Sequence, residues 1–249
     1  MKGFAGGNAA SMAGLNVLSG YSPLKFEVWR RIIEDRNGED EAAPGYSLEN
    51  IASLLKPDYL VLAEETTIKG YSLETDAELR GIGAGGFLYR SKTVSPKYYF
   101  AREIISHDGL PAVEMLDLAL SSSKKGVTHV LGDAKPGKRS TKGQITSINK
   151  LKQGYSLEGD FANGCFLVIL DSWYPGWKAL IDGEEAGLYL VDGLFRGVEV
   201  PGGPHKIEFL YKPKSFHRGI ILSLIGFVLA LILIALPLGR HASLVEQTE

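Results

Sequence analysis

The chain has 249 residues, of which 45% are hydrophobic, 22% charged and 10% aromatic, and its formal net charge is −2. That balance, with no basic face and no interleaving of aromatic and basic residues, excludes a nucleic-acid partner. A single cysteine, Cys165, excludes an internal disulfide, and its place in C-F-L-V-I-L marks it as a buried structural thiol.

The opening residues M-K-G-F-A-G-G-N-A-A-S-M-A-G-L hold no sustained apolar stretch and do not read as a secretory signal. Lys25 to Ile33 suits a short helix, followed by an acidic loop from Glu34 to Gly45. Leu48 to Leu55 is predicted as a helix halted by Pro57. Tyr59 to Ala63 is predicted as a buried strand, and Phe87 to Arg90 and Tyr98 to Arg102 as further strands flanking a turn at Ser95-Pro96. Ala112 to Leu120 is a helix ending before S-S-S-K-K-G. The basic loop Asp133 to Gly143 then marks the expected boundary of a mixed α/β region, residues 1–133.

Beyond that loop the sequence reads as β structure. Gln144 to Lys150, Tyr155 to Phe161 and Cys165 to Leu170 are successive strands. Pro175-Gly176 suits the centre of a type II turn, with Pro setting the first φ and Gly accepting a positive second one. Asp182-Gly183 between W-K-A-L-I and A-G-L-Y-L-V signals a hairpin. Pro201-Gly202-Gly203-Pro204 separates F-R-G-V-E-V from a last strand whose Ile207, Phe209 and Tyr211 share one face. The expected fold class is an α+β N-terminal part, an all-β sandwich or jelly-roll-like domain over residues 134–214, and one C-terminal transmembrane helix.

That helix is the run Gly219 to Leu238, 20 residues without a charge, in which Ser223 is the one polar side chain. About 20 apolar residues cross a bilayer core. Lys212, Lys214 and Arg218 crowd its start, and Arg240 and His241 open a short tail, residues 239–249. A domain without an export signal, tethered by such a helix, reads as tail-anchored in the cytoplasm, and the excess of Lys and Arg before the helix points the same way.

Few residues are arranged for chemistry. Gly81, Gly83 and Gly86 match G-x-G-x-x-G, but the motif follows a charged segment and leads into a strand, so it reads as a hairpin connection. The pentapeptide G-Y-S-L-E recurs at Gly45, Gly70 and Gly154 with different flanks and is not a repeat. Five scattered histidines (His107, His129, His205, His217 and His241) make no metal-ligand spacing. No nucleophile elbow is present, and Glu64-Glu65 at a strand end reads as solvated charge. No catalytic residue, metal or cofactor is expected. The densest cluster is D-S-W-Y-P-G-W-K-A-L-I-D-G, Asp171 to Gly183. Aromatics beside an Asp at a sandwich edge could stack on a sugar ring and bond its hydroxyls. Asp171, Trp173, Tyr174, Trp177 and Arg196 are therefore the candidate glycan contacts. The alternative is architectural: Tyr174 and Trp177 bracket the turn and fill the core while Asp171 bonds the turn's backbone.

This stretch resembles the signature of bacterial YfhO-type membrane proteins, a Y-P-G-W element and D-G followed by F-R and P-x-G-x-H before the last transmembrane helix. Tyr174, Pro175, Gly176, Trp177, Asp182, Gly183, Phe195, Arg196, Pro201, Gly203 and His205 occupy those places, and Tyr211 and Pro213 lead to the helix. Asn8 and G-Y-S-P-L at Gly20 to Leu24 resemble the family's N…G-Y-D-P-L, with Ser22 in place of Asp. L-Y-R-S-K-T-V-S-P-K at Leu88 to Lys97 resembles its N-x-x-x-L-P-R segment, with Ser91 for Asn and Lys97 for Arg. The resemblance implies a piece of a polytopic, GT-C-type glycosyltransferase that uses lipid-linked sugars on cell-envelope polymers. This piece would be the non-catalytic extracytoplasmic C-terminal domain and final helix. Its partners would be the lipid bilayer, the multi-helix membrane part of the same protein, and envelope glycans or a lipid-linked sugar. The catalytic loop would lie in that multi-helix part. It also implies the bacterial cell membrane with the domain outside, reversing the charge-based orientation. A stand-alone membrane-tethered carbohydrate-binding module is the competing expectation.

Overall fold

The computed structural model describes residues 47–62, 65–74, 87–93, 96–121 and 126–235. The expected helix Lys25–Ile33, the acidic loop, the glycine motif at Gly81 to Gly86, Glu64, Asn8, G-Y-S-P-L and the tail 239–249 lie outside these residues.

Helix α1, Leu48–Leu55, starts where Ser47 is extended and its Oγ accepts the Asn50 N–H at 3.1 Å. A serine N-cap of this kind stabilises a helix by about 1 kcal/mol. It stops at Lys56, which turns left-handed at φ 45° before Pro57, because a residue preceding proline is disfavoured in the α region. Ile51, Ala52 and Leu55 form its buried stripe. Strands β1 (Tyr59–Leu62), β2 (Tyr71–Leu73) and β3 (Phe87–Ser91) make a small antiparallel sheet in the order β1-β3-β2.

The next strand is shorter than expected. Tyr98–Phe100 (β4) ends where Ala101, fully buried, gives its N–H to the Phe166 carbonyl. Glu103–His107 (β5) is a separate strand, because the chain leaves one edge of a large sheet and re-enters near the other. Helix α2 (Ala112–Ser121) then crosses over to Val127–Leu131 (β6), which runs parallel to β5. The basic loop contributes Gly137–Lys138 (β7), paired with β5. Strands from both sides of Asp133–Gly143 are thus hydrogen-bonded in one sheet.

The remaining strands are β8 (Gln144–Leu151), β9 (Gly154–Phe161), β10 (Cys165–Ile169), β11 (Trp177–Ile181), β12 (Glu184–Ala186), β13 (Leu188–Val191), β14 (Phe195–Val200) and β15 (Gly203–Tyr211). They complete a seven-stranded sheet, β4-β10-β14-β13-β6-β5-β7, and build a five-stranded one, β12-β11-β15-β9-β8. The two sheets face each other in a β-sandwich-like arrangement, with Leu157, Phe161, Leu167, Val198, Ile207 and Phe209 between them. The other face of the seven-stranded sheet is covered by α1 and α2, through Ile51, Leu55, Leu116 and Leu120. This explains the unbroken apolar run in β10. Cys165, Leu167 and Ile169 face the sandwich, Phe166 and Val168 face the helices, and all five are buried. The Cys165 thiol is pushed up to about 12 by that burial.

The turns follow the sequence. Asp182 (φ 52°) and Gly183 (φ 91°) are both left-handed, the type I′ geometry that matches strand twist. Gly176 sits at φ 111°, and a Cβ there would lie 2.9 Å from Pro213 Cα. Helix α3, Lys214–Ala235, follows β15 after two residues and carries most of the apolar run. Its described side chains from Gly219 to Leu233 are all exposed. Among the described residues no helix is long and apolar enough to cross a membrane; residues 236–238 of the expected span lie outside them.

Candidate functional site

The Arg196 side chain is completely buried although it carries a permanent charge. Strand alternation puts it there. Phe195 faces the helix-side core, and Arg196 points between the sheets with Val198 and Val200 behind it. One guanidinium nitrogen, Nη2, donates to Asp171 Oδ2. The guanidinium carbon lies 3.7 Å from the centre of the Trp177 ring, and 5.7 and 5.9 Å from those of Tyr155 and Phe209. Tyr155 stacks on Phe209 at 5.2 Å, and Trp177 packs on Tyr211 at 5.3 Å. The cation is therefore enclosed in aromatic faces, whose quadrupoles attract it. Its Nε and Nη1, together with the Tyr155 hydroxyl, have no hydrogen-bond partner. Burial holds the Tyr155 phenol well above its ordinary value, with Arg196 opposing that rise.

Among the expected glycan contacts, the fold joins Asp171, Trp177 and Arg196, but it joins them to one another. The enclosed guanidinium offers no donor at the surface. Asp171 is half exposed and bonds the Ser172 N–H at 2.9 Å, not the Pro175-Gly176 turn. Trp173 is half-buried, its backbone N–H bound to the Leu194 carbonyl at 2.7 Å. Tyr174 is at the rim, 36% exposed, and packs on Tyr211. A ligand approaching this end meets Asp171 and Tyr174.

The same end is tied by main-chain bonds to the residues that lead into α3. Lys212 donates to the Gly176 carbonyl at 2.7 Å and Tyr211 to the Gln153 carbonyl at 2.8 Å. Two turns are thereby fixed against the point where the chain enters the apolar helix. Gly176 permits this, since its missing side chain leaves room for Pro213.

A second polar cluster was not visible in the sequence. Asp192, buried at φ 49°, accepts the His129 backbone N–H on Oδ1 at 2.8 Å and the Tyr99 hydroxyl on Oδ2 at 3.0 Å. Burial pushes its carboxyl up to about 6, against the lowering effect of those two bonds. On the parallel pair, His107 Nε2 and His129 Nδ1 are 2.9 Å apart with stacked rings. Burial first and the neighbouring His107 second lower His129 below the ordinary histidine value. The two histidines, 22 positions apart, meet only because β5 and β6 run parallel. At the opposite end of the sandwich Asp182 holds His205 Nδ1 at 2.6 Å and the Lys206 N–H at 2.9 Å. The Lys206 backbone bond and then His205 hold its carboxyl below the usual range. Among the described residues no group of three or more His, Cys, Asp or Glu is placed to hold a metal ion. Comparison with models of known families, with curated proteins and with solved structures found no match for this chain.

Proposed function

We propose that this chain is a non-catalytic, membrane-anchored β-sandwich domain whose C-terminal helix enters a bilayer. The observation that carries the reading is α3. From Gly219 to Leu233 its described side chains are exposed, with Leu222 and Leu233 at 68% and Phe227 at 62%, and no polar stripe divides them. Exposing that much contiguous apolar surface to water is unfavourable by roughly 25 cal/mol per Å². Lipid removes that cost, and the 20-residue uncharged run has the length for it.

The Y-P-G-W, D-G, F-R and P-x-G-x-H elements support the narrower reading of a YfhO-type C-terminal domain, outside the bacterial cell membrane and beside a multi-helix part that handles lipid-linked sugars. Their places in the fold fit an architectural use. Trp177 and Arg196 close the sandwich end, Gly176 admits Pro213, and Asp182 pins His205.

The test uses the full chain expressed in bacteria, with an exposed reporter thiol at Glu184→Cys. The native Cys165 is buried and stays silent. The proposal expects the chain to stay in membranes through alkaline carbonate and the reporter to react with an impermeant thiol reagent in intact spheroplasts. Release by carbonate removes the membrane reading. Labelling only after lysis places the domain in the cytoplasm, as a tail-anchored scaffold.

A further inference from the structure

We propose that the helix-proximal end of the sandwich seats on the headgroup layer of an anionic phospholipid membrane. The inference rests on the membrane-anchored reading above and adds a second, electrostatic contact to it. The seat consists of the β8–β9 turn around Lys152 and Gln153 and the Tyr174-Pro175-Gly176 turn. Neither turn is loosely attached: Tyr211 bonds Gln153 and Lys212 bonds Gly176. Only Lys212 and Pro213 separate the last strand from α3. The seat therefore lies within two residues of the start of α3, and the tilt of the domain about that short joint decides whether it touches the headgroups.

Among the described residues the exposed charges at this end that lie outside an ion pair are lysines. Lys150, Lys152 and Lys212 are exposed, and among the described residues none has a carboxylate within ion-pair distance. The carboxylate of Asp171 is already occupied by Arg196. Tyr174, 36% exposed, adds an amphipathic ring of the kind that settles at a headgroup boundary. The far end differs: beside its Asp182–Gly183 turn Glu184 is an exposed carboxylate outside the ion pairs of the described residues, while Glu185 is held by Lys178 and Asp182 by His205. The nine residues of β15 put about 30 Å between the two ends, several times the Debye length of about 8 Å at physiological salt. The excess of exposed lysines outside ion pairs thus lies at the end next to α3.

Each lysine close to an anionic surface shifts the ratio of seated to unseated domain about fivefold, so three shift it about a hundredfold. The full chain would be placed in vesicles of phosphatidylglycerol and phosphatidylcholine with a fluorescent label at Gln153→Cys, or at Glu184→Cys as the far-end control. Quenching would come from nitroxide carried on the lipid headgroups, and insertion would be scored on the same vesicles by carbonate resistance. The expected result is strong quenching at position 153 and none at 184. Quenching at 153 should be lost in 1 M salt, in pure phosphatidylcholine, and in the Lys150→Gln, Lys152→Gln, Lys212→Gln variant. An inserted chain with equal quenching at both positions, or with quenching at 153 indifferent to the lysines and the lipid charge, overturns the seating. A chain that fails carbonate resistance fails the underlying reading instead.

Discussion

Replacing Arg196 with methionine should leave the domain about as stable as before, whereas removing its partner should not. The guanidinium has four favourable contacts: the face of Trp177, the more distant rings of Tyr155 and Phe209, and one bond to Asp171. A desolvated cation over Trp contributes about 2 kcal/mol, and a bond to a half-exposed carboxylate about 1 kcal/mol. Against these stand two buried donors, Nε and Nη1, without partners, each costing about 1–3 kcal/mol. The terms nearly cancel. Methionine keeps the length and places a sulfur beside the same rings, an interaction of about 0.3–1.5 kcal/mol. Arg196→Met should therefore change stability by no more than about 1 kcal/mol, by this sum of opposing terms. Asp171→Asn leaves the buried cation without a counter-charge, which costs about 3 kcal/mol. The double variant should resemble Arg196→Met alone. Chemical denaturation of the full chain in detergent, followed by near-UV circular dichroism of the Trp177 environment, gives all four corners of the cycle. If Arg196→Met loses as much as Asp171→Asn, the cation stabilises the fold outright and the reasoning fails.

Three further outcomes follow from the packing and the pH chemistry. Leu167→Ala should cost about 2–5 kcal/mol, because that side chain is fully enclosed between the sheets, while Ile148→Ala on the exposed edge strand should cost less than about 0.5 kcal/mol; equal losses in denaturation midpoints would refute the two-sheet core. Gly176→Ala combines a positive φ with a clash on Pro213 and should cost about 1–3 kcal/mol, together with faster amide exchange at Lys212, which an unchanged exchange rate would contradict. Asp192 has a folded pKa of about 6 against 3.8, so the folded state binds its proton more tightly and gains from it at low pH. As pH rises from about 4 to about 6 the wild type should lose about 3 kcal/mol relative to Asp192→Asn and then hold level, and a pH-independent difference would rule this out.

Local chemistry was legible and long-range pairing was not. Ser47 and Pro57 bound α1, and Asp182-Gly183 forms the expected hairpin, because caps and turns depend on a few adjacent residues. The apolar run in β10 announced burial, but its double-sided cover by Phe209 on one face and Leu116 on the other depends on segments far along the chain. The boundary between β4 and β5 leaves no trace in the sequence for the same reason, since it marks a change of sheet edge and not a change of composition. The pentapeptide G-Y-S-L-E illustrates the limit. Its serine caps a helix at Ser47, while Ser72 and Ser156 lie in strands. In the candidate site, Trp177 and Tyr174 could be read as aromatic neighbours of a turn. That Trp177 would spend its face on Arg196, 19 positions later, follows only from the facing of β14 and β11. His107, His129, Tyr99 and Asp192 carried no spacing signal at all, because three different strands and a loop deliver them.

The direct passage of β15 into α3 has a mechanical consequence. β15 is hydrogen-bonded to β9 along eight residue pairs and to β11 along five. A pull on the helix acts along the strand axis and loads both ladders in shear, so that many bonds must yield together. The hairpin at Glu184–Ala186, pulled across its strands, would open one bond at a time. The domain is thus stiff when pulled through α3 and compliant at its far edge. Single-molecule pulling from the C-terminal end should meet high resistance, and pulling from position 184 should meet little.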